Sequence, residues 1–197
     1  MDFTALFVDV DDFWQTFEQK YQQHLIDDSI RSRRRKMKLS ISEIMPLAIA
    51  FQTSHDRTFK HFYSDLQRHH PHDFPNLISY LRFVRCLSRV TLPLFSYLVS
   101  ACLGPVTGIS FIDSTAIKVC GNKRINRHRV FDGIAAHGKS TMGWFYGFKL
   151  HLVINDRGDL LAFTLTPGHV DDRVPVESMT TNFVGRLFGD KGYTSRQ

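Results

Sequence analysis

The sequence has few cysteines and little positive charge among its first thirty residues. Its three cysteines, Cys86, Cys102 and Cys120, are odd in number and widely spaced, which argues against a disulfide framework and against a zinc motif. This usage is typical of a reducing cytoplasm. The first residues, MDFTALFVDVDD, are acidic where a secretory signal is basic, so we do not expect secretion. With 7 prolines and 12 glycines among 197 residues, the chain also lacks the composition of a disordered protein.

Residues 90–112 contain no charged side chain and are numerous enough to span a bilayer. However, Pro93, the Gly104-Pro105 pair and Gly108 divide this segment. Proline lacks an amide donor and disfavours helical geometry in the residue before it, so a helix should end near Pro105. We therefore expect a buried helix over about 92–102, then a buried strand, and no membrane partner.

The chain is basic overall, and its charged residues are unevenly distributed along the sequence. A net charge of +6 and a pI near 9.4 favour polyanionic partners, first of all nucleic acid. Residues 1–30 hold seven acidic side chains and one basic one, whereas residues 31–38 hold six basic side chains and no acidic one. We interpret residues 31–38 as a charged linker.

Residues 1–104 carry helical signals and predict an all-helical N-terminal domain. Ser40-Ile-Ser-Glu43 has the form of a capping box that opens a helix through Phe51. Further helices are expected over about 57–67, after Pro75-Asn76, and over 92–102. A first amphipathic helix is indicated by apolar side chains at helical spacing, namely Phe13, Trp14, Phe17, Tyr21 and Leu25. The helices near 41–67 could form a DNA-reading helix-turn-helix or a plain packed pair.

The residue pattern of 105–197 predicts a mixed β-sheet. Residues 109–119 alternate in the period of a strand. Residues 144–154 and 160–166, separated by the turn signal Asn155-Asp-Arg-Gly158, predict a β-hairpin. A short helix over 175–184 and a strand at Leu187-Phe188 follow. The expected order is strand, strand, strand, helix, strand.

Two aspartates, Asp113 and Asp190, end apolar runs of this domain. An ionised carboxylate at the core-facing end of a strand needs a cation or hydrogen-bond donors, and Mg²⁺ uses one or two protein carboxylates with water and phosphate. A right-handed crossover after the hairpin would lay the last strand parallel to the first and make the two aspartates neighbours. The alternative interpretation is that each is a turn or cap aspartate.

A basic connection follows the first strand, and six cations in it suit a phosphate backbone, although a solvated loop explains them as well. These cations are Lys118, Lys123, Arg124, Arg127, Arg129 and Lys139.

Lys149 and His151 share one face of the next strand and could face a phosphate or carboxylate, but a lone histidine is more often structural. For Asp171 and Asp172, in the segment 166–173, we favour turn and cap chemistry over metal binding.

The runs GISFIDSTAIKVC, MGWFYGFKLHLVIN, LTPGHVDDR and LFGDKGY, in this order, resemble insertion-sequence transposases of the DDE type, and most closely the insertion-sequence-982 family. LFVDVDDFW and AFQTSHDRTFKHFY are similar to the helical N-terminal region of that family. The resemblance implies a helical DNA-binding region over 1–104 followed by an RNase H-like domain over 105–197.

The resemblance also implies a reaction and its partners. Two aspartates and a glutamate of the family bind two divalent metals, Mg²⁺ or Mn²⁺, and Asp113 and Asp190 match the positions of the two aspartates. The implied reaction is strand cleavage and strand transfer on transposon terminal inverted repeats and target DNA. The full-length protein is expected to be a homo-oligomer in the bacterial cytoplasm.

The third carboxylate of the family has no counterpart after Asp190. The glutamates are Glu18, Glu43 and Glu177, and the last of these lies between the two aspartates in the wrong order. We therefore expect a C-terminally truncated chain with an incomplete RNase H-like domain that does not catalyse cleavage alone. A non-catalytic DNA-binding remnant and a metal-dependent ribonuclease of the same fold stay open as alternatives.

Overall fold

The computed structural model describes residues 3–27 and 38–193, with the side chains of 24–27 and 191 excepted. The chain forms two compact units, Met1–Ala101 and Cys102–Gln197. The first is helical and the second is a mixed five-stranded sheet with short helices, an arrangement consistent with the RNase H-like fold. The predicted fold class is thereby confirmed. The predicted linker over 31–38 lies outside the described residues except for Lys38.

The helical unit consists, in its described part, of α1 (Phe3–Asp27), α2 (Ile41–Thr53), α3 (Phe59–His69) and α4 (Tyr80–Ala101). The predicted capping box opens α2: the Ser40 hydroxyl accepts from the Glu43 amide at 3.1 Å, and the Glu43 carboxylate accepts from the Ser40 amide at 2.6 Å. Aromatic side chains dominate its core, among them Trp14, Tyr21, Tyr63 and Phe83.

The prediction of two separate helices between residues 76 and 102 was wrong, because α4 runs unbroken through Pro93. Proline cannot donate to the carbonyl four residues earlier, which is that of Arg89. The Tyr21 hydroxyl donates to this carbonyl instead, at 3.3 Å. A tertiary contact that local sequence does not reveal thus satisfies the carbonyl. No helix of the described ranges is long and apolar enough to cross a membrane.

The sheet of the second unit contains β1 (Ile109–Cys120), β2 (Ala136–Ser140), β3 (Gly143–Asn155), β4 (Leu160–Pro167) and β5 (Arg186–Gly189). β3 pairs antiparallel with β1 along one edge, and along its other edge with β2 and then β4. β5 pairs parallel with β1, as expected from the predicted crossover. The short helix α5 (Val176–Thr180) precedes β5 and packs Met179 beneath the sheet against Ile112 and Val153.

Two details of this unit differ from the prediction. β2 falls inside the basic connection that we expected to be a loop, because AHGKS has no apolar alternation and becomes a strand only by pairing with β3. The helix expected over 175–184 is limited to α5, since the chain turns at Phe183 and takes a positive φ of 119° at Gly185. The predicted hairpin of β3 and β4 is confirmed, with the Asn155 carbonyl oxygen Oδ1 accepting from the Arg157 and Asp159 amides.

Candidate active site

Strand pairing brings Asp113 and Asp190 side by side. The parallel register of β1 and β5 ends with Ile112 opposite Gly189; Asp113 is the next residue of β1, and Asp190 directly follows β5. Neighbouring strands lie about 4.8 Å apart, so the two backbones are neighbours where the carboxylates begin. Both side chains are exposed. β5 ends here while β1 continues to Cys120, which leaves the edge of β1 beyond Asp113 open.

Neither aspartate has a cationic partner among the described side chains. Asp113 Oδ1 accepts from the Ser114 amide at 2.7 Å, and Asp190 Oδ1 accepts from the Gly192 amide at 2.8 Å. Two carboxylates on neighbouring strand ends that have no cationic partner are suited to a divalent cation. Their oxygen-only donor set is the one that Mg²⁺ and Mn²⁺ prefer.

A third carboxylate, that of Asp172, faces the same region. Its Oδ1 accepts from Lys149 Nζ at 2.9 Å and from the Ser114 hydroxyl at 3.1 Å. Lys149 also donates to the Val170 carbonyl at 2.9 Å, which ties the segment after β4 onto β1 and β3. The sequence predicts a turn or helix-cap role for Asp172, whereas the structure pairs it with Lys149 and Ser114. The sequence signal that could have found it is the alternation of Lys149 with His151, which places a partly buried lysine on the strand and calls for an acidic partner.

Asp171, the neighbour of Asp172, has a local structural role. Arg173 donates two side-chain hydrogen bonds to it, at 2.8 and 2.9 Å, and one from its backbone amide. These hydrogen bonds, first those of the guanidinium, hold the pKa of the Asp171 carboxyl well below its usual range. The adjacent acids therefore differ in role, and the turn interpretation fits Asp171 only.

Gly192 and Tyr193 complete the surroundings of the carboxylates. A Cβ at Gly192 would lie 3.0 Å from Asp190 Oδ1 and 3.8 Å from Asp172 Oδ2, so the missing side chain keeps the space between these two acids open. The Tyr193 hydroxyl is buried and, although Ser114 lies near it, makes no hydrogen bond of normal geometry with a described residue.

The pKa of the Tyr193 phenol is shifted by its burial and by this group of acids. Burial raises its pKa, the nearby Ser114 hydroxyl opposes the shift, and the charges of Asp172, Asp113 and Asp190 raise the pKa further. The open space and the oxygen donors fit a divalent ion held by Asp113 and Asp190. Within the described part of the chain, however, no set of three or more His, Cys, Asp or Glu side chains is arranged as a metal cluster.

The six cations of the connection predicted to contact DNA are all exposed. A 3-10 helix, Asn122–Arg127, carries Lys123, Arg124 and Arg127, while Lys118 lies near the end of β1 and Lys139 on β2. Arg129 is 3.9 Å from Asp132, and both side chains are largely in solvent. Exposure leaves all six able to contact a polyanion.

Lys149 and His151 lie differently from these six. Lys149 is half-buried in its ion pair with Asp172. His151 is 0% exposed, and its Nε2 is 2.9 Å from the Thr166 hydroxyl. A fully buried ring does not reach a DNA backbone, so the structure gives His151 a core position rather than the DNA contact that we expected.

Burial lowers the pKa of His151, with Asp172 opposing the shift and Lys149 adding to it. The unfolded chain then binds a proton more readily than the folded one, so stability is complete above the unfolded pKa of about 6.5 and is lost as the pH falls through it. We predict that the free energy of unfolding, measured with urea, falls between pH 7 and 5. His151→Gln should reduce this dependence, and an unchanged pH profile in that variant would contradict the assignment.

Comparison with known families adds an independent observation. Residues 103–197 match the family model of the transposase DDE domain. The matched segment contains the whole sheet, including Asp113 and Asp190, and supports a DDE transposase. Neither a search of curated proteins nor a search of solved structures gives a significant match. The DDE domain match and the two aspartates therefore lie in the same unit of the chain.

Proposed function

We propose that this chain belongs to a bacterial insertion-sequence transposase, of the insertion-sequence-982 type, that acts on transposon ends by metal-dependent strand cleavage and strand transfer. The observation that carries the proposal is the parallel register of β1 and β5, which makes Asp113 and Asp190 neighbours inside the segment that matches the DDE domain. The DNA partners would be terminal inverted repeats and target DNA.

In this proposal Asp113 and Asp190 hold Mg²⁺ or Mn²⁺, in a site that takes two ions when a further carboxylate is present. The bound metal supplies activation of a water or a 3′-hydroxyl and stabilises the leaving oxygen. The chain's own residues provide two negatively charged ligands, each oriented by one backbone amide. Beyond Ile112, β1 has no strand partner on the β5 side among the residues that the structure describes, and a phosphodiester would lie along this edge.

Asp172 and Lys149 have a positioning role in this proposal. Lys149 and the Ser114 hydroxyl hold one oxygen of Asp172, so this carboxylate turns its other oxygen toward the space above Gly192. Ser114 directly follows Asp113 in β1, so the ion pair fixes the backbone next to a proposed metal ligand. Such supporting hydrogen bonds commonly change metal affinity by about 10- to 100-fold.

The exposed cations would bind the DNA backbone. Each phosphate contact should lower log K by about 0.9 per log unit of salt. We expect these 197 residues by themselves to bind DNA without cutting it hydrolytically, because no glutamate follows Asp190. A non-catalytic DNA-binding role is the second candidate, favoured by the exposure of the cations.

Iron-mediated cleavage separates the two candidates without needing hydrolysis. Fe²⁺ can replace Mg²⁺ on carboxylates, and with ascorbate and peroxide it releases hydroxyl radicals that cut nearby DNA. If Asp113 and Asp190 hold a metal beside DNA, cuts should cluster within a few nucleotides of the transposon end and disappear in Asp190→Asn. Asp156→Asn, altered at the hairpin turn, is the matched control. Salt-sensitive binding without localised cuts would favour the non-catalytic role.

A further inference from the structure

An open depression of about 590 Å³ lies on the sheet domain between the end of β1 and the start of β3. β1, the 3-10 helix and β3 each contribute to its wall. The Asn122 side-chain amide donates to the Trp144 carbonyl at 3.3 Å and so ties the 3-10 helix to β3. The depression is therefore built by three connected elements of one domain.

Trp144 is an exposed ring in this depression. Its side chain is 64% exposed, although large aromatic side chains are usually buried. The strand register sets Trp144 opposite Lys139 of β2, and Lys139 Nζ lies 5.9 Å from the ring centroid. At this distance the ammonium group is attracted by the ring. The ring is thus held at a fixed place on a strand with a cation over one face, which leaves its other face for a ligand.

Positive charge surrounds the ring. Lys118, Lys123 and Arg124 line the depression, and no acidic residue is among the lining residues. Such an environment repels a cationic ligand such as a methylated amine, which aromatic cages otherwise bind. It favours a ligand that combines a flat aromatic group with negative charges on both sides.

We infer that this depression binds an unstacked base of single-stranded nucleic acid, with the base on Trp144 and the flanking phosphates on Lys118, Lys123, Arg124 and Lys139. Aromatic side chains interleaved with cations are the usual means of holding single strands. In a duplex, neighbouring bases cover both faces of each base, so a duplex would contact the cations and leave the ring unused.

This site is separate from the aspartate pair. Lys118 follows Asp113 by five positions on β1, which is about 17 Å at roughly 3.4 Å per residue. The base site needs no metal and stands whether or not Asp113 and Asp190 bind one. Its failure and the failure of the proposed transposase function are therefore distinguishable.

Tryptophan fluorescence of the intact 197-residue chain tests the inference. Trp14 is 5% exposed and should resist acrylamide, whereas Trp144 should be quenched. A short oligothymidylate, added without divalent ions, should shield Trp144 from acrylamide. Trp144→Ala should weaken binding of the oligonucleotide about tenfold and binding of a duplex of equal length less than about twofold. Equal losses for both ligands, or no shielding, would overturn the base site.

Two variants and one small ligand complete the experiment. Trp144→Phe keeps an aromatic face and should bind the single strand within about threefold of wild type. Met142→Ala truncates an 87% exposed residue two positions before Trp144 and should leave binding unchanged. Thermal melting checks that each variant is folded. Competition by thymidine monophosphate as strong as that of the oligonucleotide would indicate a mononucleotide pocket and overturn the single-strand assignment.

Discussion

Asp113→Asn should weaken Mn²⁺ binding to this chain by about 100-fold or more, since loss of even a supporting residue costs up to about 100-fold. The substitution removes the negative charge and keeps the shape, so the strand register with β5 should persist. Titration calorimetry or the paramagnetic resonance of free Mn²⁺ measures the affinity. The proposed metal site would be refuted by Mn²⁺ affinity equal to that of wild type.

Thermal melting adds a readout that a purely structural aspartate would not give. Without divalent ions, Asp113→Asn should be as stable as wild type, because the side chain is exposed and the asparagine oxygen can still accept from the Ser114 amide. Added Mn²⁺ should raise the melting temperature of wild type, since a ligand that binds only the folded state stabilises it, but should leave the variant unchanged. Asp132→Asn, which removes an exposed carboxylate near Arg129, is the matched control and should respond like wild type.

Gly185→Ala should destabilise the sheet domain by about 3 kcal/mol and also abolish Mn²⁺ binding. Gly185 has a φ of 119°, and a Cβ there would lie 2.0 Å from the Gly108 carbonyl oxygen. A side chain in this backbone region costs about 1–3 kcal/mol, and the clash with backbone adds to it. That same carbonyl accepts the Arg186 amide at the start of the β1–β5 pairing, so the clash displaces β5 and with it Asp190.

The measurement is a thermal melt followed by Mn²⁺ titration below the transition. A loss of about 3 kcal/mol in a domain of this size should lower its melting temperature by roughly 12 to 24 °C. Gly121→Ala is the matched control, because Gly121 has a φ of −68° and nothing lies within 4 Å of the Cβ position. It should stay within about 0.5 kcal/mol of wild type. If Gly185→Ala bound Mn²⁺ with full affinity, metal binding would not depend on the β1–β5 pairing, and the proposed site would be contradicted.

Local sequence chemistry was sufficient for several elements of the fold. The Ser40–Glu43 capping box uses only neighbouring residues, and the Asn155 turn closes its hairpin through its own side chain. Alternation of side chains likewise predicts β1, although the structure buries Ser110 and Ile112 and leaves Ile109, Phe111 and Ile117 exposed. These signals act over a few residues, so they can be interpreted without knowing the rest of the chain.

Other features depend on contacts between distant residues. The hydrogen bond from the Tyr21 hydroxyl to the Arg89 carbonyl helps α4 to continue through Pro93. Pairing with β3 makes the polar segment AHGKS a strand. Burial removes His151 from the surface, whereas alternation along β3 says only that it shares a face with Lys149. The role of Asp172 also emerges from Lys149 and Ser114, which lie 23 and 58 positions away.

The amino-acid sequence was sufficient to identify the two aspartates, the basic connection, the capped helix α2 and the β3–β4 hairpin, because residue type and local spacing specify these. Tertiary structure decided that Asp113 and Asp190 are neighbours and that Asp172 turns toward them. It also decided that Trp144 stands exposed among cations. The physical reason is that strand register and burial arise from pairing between segments far apart in the chain, which no local pattern specifies.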